Sequence, residues 1–335
     1  MVLLGYIVLA LVSTAVVWVG SGILETSSER LAAYYELPPI VQGAVIAAVG
    51  SSFPELSSTV LSTLVHGEFE LGVAVIAGSA IFNILVIPGL CGLASKEKTL
   101  QANRDLVYKE AQFYMVAVAT LLLTFSFAVI YNPMEEELVG GMTRLQAAMP
   151  VALYCLYLFI QYQDSMDFVA EEPSTEKPGK QWAMLVFSLL IILVGVEGLV
   201  RSALGFGRIL NTPSFLWGLT VIAAGTSISD AFYSIRAARA GKAVTSIANV
   251  LGSNTFDLLV AIPVGVLIAG TTAINYAVAA PLMGFLVLAT IILFVLIRIN
   301  LNLTRLDSYV LLAMYGLFLL WMLLETIGIT SLVLS

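Results

Sequence analysis

This sequence predicts an all-α integral membrane fold: ten transmembrane helices in a 5+5 inverted-topology repeat. Three observations carry that prediction. The chain is 59% hydrophobic and only 11% charged, against about 25% charged residues in a soluble globular domain. The apolar residues fall in blocks of helix length, not in the alternating ten-residue strands of an outer-membrane barrel. The two halves also repeat one another at an offset near 175 residues.

A span needs about 20 apolar residues. Ten segments qualify: 3–24, 39–65, 69–94, 106–130, 145–162, 182–204, 214–239, 244–269, 273–298 and 306–333. The first lacks a basic start and a clear small-residue cleavage site and runs past Gly22, so it reads as a retained helix and not a signal peptide. The least apolar stretch is 163–181, "QDSMDFVAEEPSTEKPGKQ". It is acidic, holds two prolines, and reads as a solvated cytoplasmic linker. Residues 1–162 then form the first five-helix repeat and 182–335 the second. Cys91 and Cys155 both lie in apolar blocks, so neither a disulfide framework nor redox chemistry is expected. The net charge of −7 gathers in two loop runs and points to no nucleic-acid partner.

Positive residues set orientation. With the N-terminus outside, Arg30, Lys96, Lys98, Arg104, Lys109, Lys177, Lys180, Arg236, Arg239, Lys242, Arg298 and Arg305 fall inside, and only Arg144, Arg201 and Arg208 fall outside: 12 against 3. Both termini are therefore expected to be extracellular, and the "EEE" at 135–137 becomes an outer, solvated loop.

The repeat is specific. "GSSFPE" at 50–55 aligns with "GTSISD" at 225–230 at an offset of 175, and "GSAIFN" at 78–83 with "GSNTFD" at 252–257 at 174. Pro88 pairs with Pro263 and Gly20 with Gly195 at 175. Five spans per half is an odd number, so the second half enters the membrane from the opposite side. Transporters built this way place their site near the midplane, where the repeats meet.

Within each motif a hydroxyl precedes an acid or amide by four residues: Ser51 and Glu55, Ser79 and Asn83, Thr226 and Asp230, Ser253 and Asp257. Residues four apart share a helix face. Ser52 and Ser227 add hydroxyls three before their acids. Four helices thus each present an oxygen-rich stripe. Gly50 and Gly225 permit a helix break, helped by Pro54 in the first half. A broken membrane helix frees carbonyls to line a cavity, and Ala48 and Ala223 are placed to offer them. No Lys, Arg or His occurs in the four motifs. Three uncompensated carboxylates would cost about 7–10 kcal/mol on insertion scales, so cations or protons must neutralise them. Hard oxygen ligands select Ca²⁺, Na⁺, K⁺ or Mg²⁺ over zinc or copper. The partners read from the sequence are the lipid bilayer and small inorganic cations; it names no protein partner and no resident cofactor. His66, beside Gly67 and Glu68 at an outer helix end, reads as a solvated loop residue. Glu25 and Glu197, in the first and sixth segments, are vestibule candidates.

"GSSFPELSSTV" with "GSAIFNILVIPGLCGL", and "GTSISDAFYSIRAARAGK" with "NVLGSNTFDLLV", resemble the two α-repeats of the cation/calcium exchanger superfamily. The likeness is nearest to sodium/calcium and potassium-dependent sodium/calcium exchangers. It implies a core of helices two, three, seven and eight, discontinuous or kinked, with long, tilted first and sixth helices sliding across it. It implies Ca²⁺ ligands at Glu55 and Asp230 with backbone oxygens at Ser51 and Thr226. Sodium would use Ser52, Ser79, Ser227, Ser253 and the carbonyls of Ala48 and Ala223, and Asn83 and Asp257 would line the centre. Where many family members carry Pro before the second acid, this chain has Ser229, which predicts a less sharply broken seventh helix. Many prokaryotic members have Glu where this chain has Asp230, and Asp257 matches the potassium-dependent branch without being diagnostic of it.

The resemblance and the residues together imply a Na⁺/Ca²⁺ antiporter, with H⁺-coupled Ca²⁺ exchange, K⁺-dependent exchange or Mg²⁺ exchange as rivals. Hydroxyls beside the acids suit dehydrated Na⁺, and no extra buried titratable group offers a proton relay. An intramembrane aspartyl protease built on Asp230 and Asp257 would leave Glu55 and the repeat unexplained, and a rhomboid-type serine protease lacks a placed His. A channel would differ in needing no counter-ion. The orientation has a direct test. A cysteine introduced into 163–181 is expected to react with an impermeant maleimide only from the cytoplasmic side, and labelling of intact cells would overturn it.

Overall fold

The structure is a computed structural model describing residues 2–35, 48–96, 99–103, 109–135, 137–164, 178–327 and 329–330. Lys98, Arg104, Lys177, the first nine residues of segment 39–65 and residues 165–177 of the linker lie outside the described residues. Eight helices among the described residues are long and apolar enough to cross a membrane, or nine if one bent pair counts as a single span. The chain is a multi-pass membrane protein.

Helix α1 (Val2–Tyr34) outruns its predicted segment by ten residues. Next come α2 (Ala48–Ser51) and α3 (Phe53–Leu64), then α4 (Phe69–Ala94), α5 (Ala111–Tyr131) and α6 (Arg144–Asp164). The second half opens with α7 (Pro178–Leu210). Helices α6 and α7 thus take residues 163–164 and 178–181 from the predicted linker. Then follow α8 (Ser214–Trp217), a π turn at Gly218–Ile222, α9 (Ala223–Thr226), α10 (Ile228–Arg239), α11 (Ala243–Phe256), a second π turn at Asp257–Ala261 and α12 (Ile262–Ala269). The half closes with α13 (Tyr276–Asn300) and α14 (Arg305–Thr326). At 33 residues each, α1 and α7 reach about 50 Å, well beyond a hydrocarbon core of about 30 Å. They must tilt or protrude.

The fold is not purely helical. Strand β1 (Thr99–Gln101) pairs antiparallel with β4 (Asn302–Thr304), and β2 (Val139–Met142) pairs antiparallel with β3 (Thr272–Asn275). Each two-stranded sheet takes one strand from each half. The strands satisfy backbone groups that irregular connections at helix ends would leave open.

Burial divides the helices into a centre and a periphery. Some 89% of the apolar window in α4 and 78% of that in 243–269 are covered by protein, against 17% for α1 and 22% for α14. The two covered spans carry the GSAIFN and GSNTFD motifs, so the motifs sit at the centre of the bundle. Val17 and Leu24 of α1 and Ile192, Val196 and Leu199 of α7 belong to one apolar cluster, which Leu71 and Val75 of α4 and Ile222 of the first π turn complete. In a bilayer such pairing rests on close van der Waals contact, which small residues allow. Gly20 and Gly195 supply it reciprocally. A Cβ on Gly20 would lie 2.8 Å from Ile192 Cγ1, and one on Gly195 would lie 3.0 Å from the backbone nitrogen of Val17. Ile192 and Val17 are themselves repeat mates at the 175 offset, so the contact repeats itself with its halves exchanged.

Replacing Gly195 with Val is therefore expected to destabilise the protein by about 1–3 kcal/mol, the usual range for overpacking. Gly5, where an added Cβ would meet nothing within 4 Å, is the control. Thermal melts of the two variants in detergent check this, and equal losses would mean that the crossing is not tight.

Candidate cation site

The first helix break occurs at Ser52, between α2 and α3, where the backbone turns to φ −87°, ψ 3°. The second occurs at Ser227, between α9 and α10, with φ −73°, ψ 0°. These serines are repeat mates. Helix 214–226 meets 228–239 at a 41° bend. The seventh helix is thus broken without a Pro: Ser229 donates its hydroxyl to the Thr226 carbonyl at 3.0 Å and so serves a backbone acceptor at the bend. Helix α4, by contrast, is continuous with Pro88 inside it, so of the four expected irregular helices this one is unbroken. In the 243–269 span the irregularity is the π turn that begins at Asp257. Such turns are frequent at functional sites.

The two breaks and the two central spans bring the motif residues together. Glu55 Oε1 accepts from Ser79 at 3.3 Å and from Ser227 at 3.2 Å. Asp230 Oδ1 accepts from Ser253 at 3.1 Å and Asn249 at 3.4 Å, and its Oδ2 accepts from Asn83 at 3.2 Å. The hydroxyls of Ser79 and Ser227 are 2.7 Å apart, those of Ser51 and Ser253 3.0 Å, and Ser52 donates to the Ser253 carbonyl at 3.3 Å. Contacts again come in exchanged pairs, Ser79 with Ser227 and Ser253 with Ser52. Glu55, Asp230, Asp257, Asn83, Thr226 and the four hydroxyls Ser52, Ser79, Ser227 and Ser253 are all fully buried.

The carboxylates are unequally satisfied. Asp230 accepts from Ser253, Asn249 and Asn83 across both of its oxygens. Glu55 Oε2, Asn83 Oδ1 and both carboxylate oxygens of Asp257 are buried with no hydrogen-bond partner. An unpaired buried charge is expensive, so these oxygens call for a cation or a proton. Among the described residues no three His, Cys, Asp or Glu side chains gather closely enough to share one metal ion. A divalent ion here would complete its six to eight oxygen ligands from hydroxyls, amides and carbonyls.

Other expected ligands are differently placed. Ala223 is buried, but its carbonyl accepts both the Ser227 amide at 3.0 Å and the Thr226 hydroxyl at 3.2 Å, which uses both lone pairs in this conformation. Ala48 opens the short helix α2. His66 lies in the turn between α3 and α4, as expected, but it is partly buried and not freely solvated. Its Nε2 lies 3.1 Å and 3.2 Å from the two carboxylate oxygens of Glu197, which also accepts from Arg201 Nε at 2.6 Å. Glu197, a vestibule candidate from the sequence, is thus engaged by His66 and Arg201. Glu25 sits half-buried on α1.

Sequence reading missed Asn249 and Asn254. Asn249, Ser253 and Asp257 stand four apart and form one stripe on one face. Asn254 donates to the Ala80 carbonyl at 3.1 Å and to Tyr114 Oη at 3.4 Å, and accepts from Asn83 at 3.0 Å.

The family model described as sodium/calcium exchanger protein matches residues 5–163 and 180–324. The chain belongs to the sodium/calcium exchanger family. Members of this family are transporters, not enzymes, and they carry small inorganic cations across a membrane. The chain is 23% identical to sodium/calcium exchanger MaX1 of Methanosarcina acetivorans, over 90% of this exchanger and 93% of that one. Its fold resembles that of the sodium–calcium exchanger NCX_Mj soaked with 10 mM Na⁺, at TM-score 0.64 and 23% identity, covering 94% of this chain and 97% of that one. It also resembles the H⁺/Ca²⁺ exchanger CAX, at TM-score 0.74 and 14% identity, covering 94% and 82%.

Two of the three fully buried acids give a direct test. Glu55→Gln and Asp230→Asn are each expected to cut Ca²⁺ uptake by at least about tenfold, because a hard divalent ion loses an anionic ligand. Folding should survive, since a buried charge is removed with it. Near-normal uptake by either variant, with a monodisperse detergent profile, would show that these carboxylates are not ligands.

Proposed function

We propose that this exchanger moves Ca²⁺ against Na⁺ by alternating access at the central site. The observation that carries the reading is the set of buried, unpartnered oxygens on Glu55, Asn83 and Asp257, ringed by hydroxyls. Calcium and sodium compete for one group of carboxylates. Binding either neutralises the charge that otherwise opposes enclosure of the site. Glu55 and Asp230 are the principal Ca²⁺ ligands, with backbone oxygens at Ser51 and Thr226. The hydroxyls of Ser52, Ser79, Ser227 and Ser253 hold Na⁺, and the carbonyls of Ala48 and Ala223 join them when the breaks flex.

Ten spans in two inverted halves are the architecture of this reading, with both termini outside. The reciprocal contacts of Gly20 and Gly195, the exchanged serine pairs and the cross-half strand pairing support a pseudo-twofold relation. Helices α1 and α7 form the moving layer, which their close mutual packing at Gly20 and Gly195 supports. The His66–Glu197 contact ties that layer to the end of α3 in this conformation and must open for the layer to travel.

Proteoliposomes test the coupling. Radiolabelled Ca²⁺ is expected to enter Na⁺-loaded vesicles in K⁺-free solution and not vesicles at Na⁺ equilibrium. Uptake that ignores Na⁺ and follows a pH gradient would make the protein proton-coupled. Uptake that vanishes without K⁺, and becomes K⁺-independent in Asp257→Asn, would make it potassium-dependent.

A further inference from the structure

Residues 80 and 254 occupy matching repeat positions, at the same offset of 174 that relates Ser79 to Ser253 and Asn83 to Asp257. They touch: Asn254 Nδ2 donates to the backbone carbonyl of Ala80 at 3.1 Å. A residue in contact with its own repeat mate lies at the pseudo-twofold axis. The mates differ, Ala against Asn, so the axis carries one amide and not two.

The orientation of that amide is fixed by chemistry. A backbone carbonyl only accepts, so the Asn254 atom beside Ala80 is the NH₂ group. Its Oδ1 then faces Asn83 and accepts Asn83 Nδ2 at 3.0 Å. The same Nδ2 donates to Asp230 Oδ2 at 3.2 Å. Turned over, the Asn83 amide would set its carbonyl against two acceptors. Asn83 is therefore held with its NH₂ group spent on Asn254 and Asp230. Its Oδ1 is left buried and unpartnered, as are both oxygens of Asp257.

We propose that Asn254 is a positioning residue for the transported cation: from the repeat axis it locks the Asn83 amide so that the carbonyl oxygen, and not the NH₂ group, is offered to the ion. The proposal rests on the reading of the central site as the cation site. Without Asn254, one of the two acceptors that hold the Asn83 NH₂ group is gone. The amide then samples the orientation in which its donor opposes the cation.

A mutant cycle on the full chain tests this, using Asn254→Ala, Asn83→Ala and the double variant. The readouts are half-saturating Ca²⁺ and maximal rate in vesicles, and the Ca²⁺-dependent rise in melting temperature in detergent. Asn254→Ala is expected to raise half-saturating Ca²⁺ about tenfold, the usual scale for losing a partner that orients a metal ligand. Its maximal rate should stay within about twofold, as when binding common to the ground and transition states is lost. The double variant should bind Ca²⁺ no more weakly than Asn83→Ala, because Asn254 acts only through Asn83. Unchanged half-saturation in Asn254→Ala, or losses that multiply in the double variant, would overturn the positioning role. If Asn254→Ala does not fold, Asn254→Thr, closer in volume, takes its place with the same expected outcomes. A wild-type protein that neither transports Ca²⁺ nor melts higher in its presence overturns the parent reading of the site. An active wild type beside an indifferent Asn254 variant overturns the positioning role alone.

Discussion

Burying carboxylates in an apolar bundle without a basic side chain among their motifs is the constraint on which the rest of this structure turns. Glu55, Asp230 and Asp257 are all fully buried, out of contact with bulk water, and a Lys or Arg beside them would neutralise the site permanently. Neutral donors are the remaining protein groups that stabilise an anion while leaving room for exchange. They are distributed unevenly: Ser253, Asn249 and Asn83 donate to Asp230 and Ser79 and Ser227 to Glu55 Oε1, while Glu55 Oε2 and both oxygens of Asp257 have no hydrogen-bond partner. The further stabilisation a carboxylate needs must therefore come from outside the protein, and its demand rises as its donors fall.

The architecture follows from supplying those donors. Serine hydroxyls reach across between halves because both breaks, at Ser52 and Ser227, fall at the same repeat position with nearly the same backbone angles. The continuous α4 and the π-turned 243–269 span run through the centre and present Ser79, Asn83, Ser253 and Asp257 to the broken helices. The two small sheets join strands of opposite halves at the helix ends, away from the site. Helices α1 and α7 then pack mainly on one another through Gly20 and Gly195, where side-chain bulk is excluded on both sides.

Much of this is legible in the sequence because its signals are local. Helix-length apolar blocks, four-residue hydroxyl–acid spacing and a constant offset between Glu55 and Asp230 are all read from one chain without knowing the fold. The strands are not legible: three or four residues such as Thr99–Gln101 carry no periodicity, and β1 finds its partner some 200 residues on. His66 has the local signature of a loop residue because Glu197, 131 positions away, is brought beside it only by tertiary packing. Asn249 and Asn254 lie within or beside the second-half motifs, but their mates in the first half are Val75 and Ala80. A search guided by what the halves share passes over what only one half has.

The contact between Ala80 and Asn254 bears on ancestry. In a dimer of two identical half-length chains, each side chain off the axis occurs twice, so buried charge at such a centre comes only in even numbers. An amide seated on the axis would face a second copy of itself there, so a symmetric centre carries two amides where this one carries Asn254 alone, against Ala80. A centre with three acids and one axial amide requires two halves that differ, as the two halves of this chain do at Asn83 and Asp257 and at Ala80 and Asn254. The parity of its charge marks this protein as one that could not be rebuilt from two copies of either half.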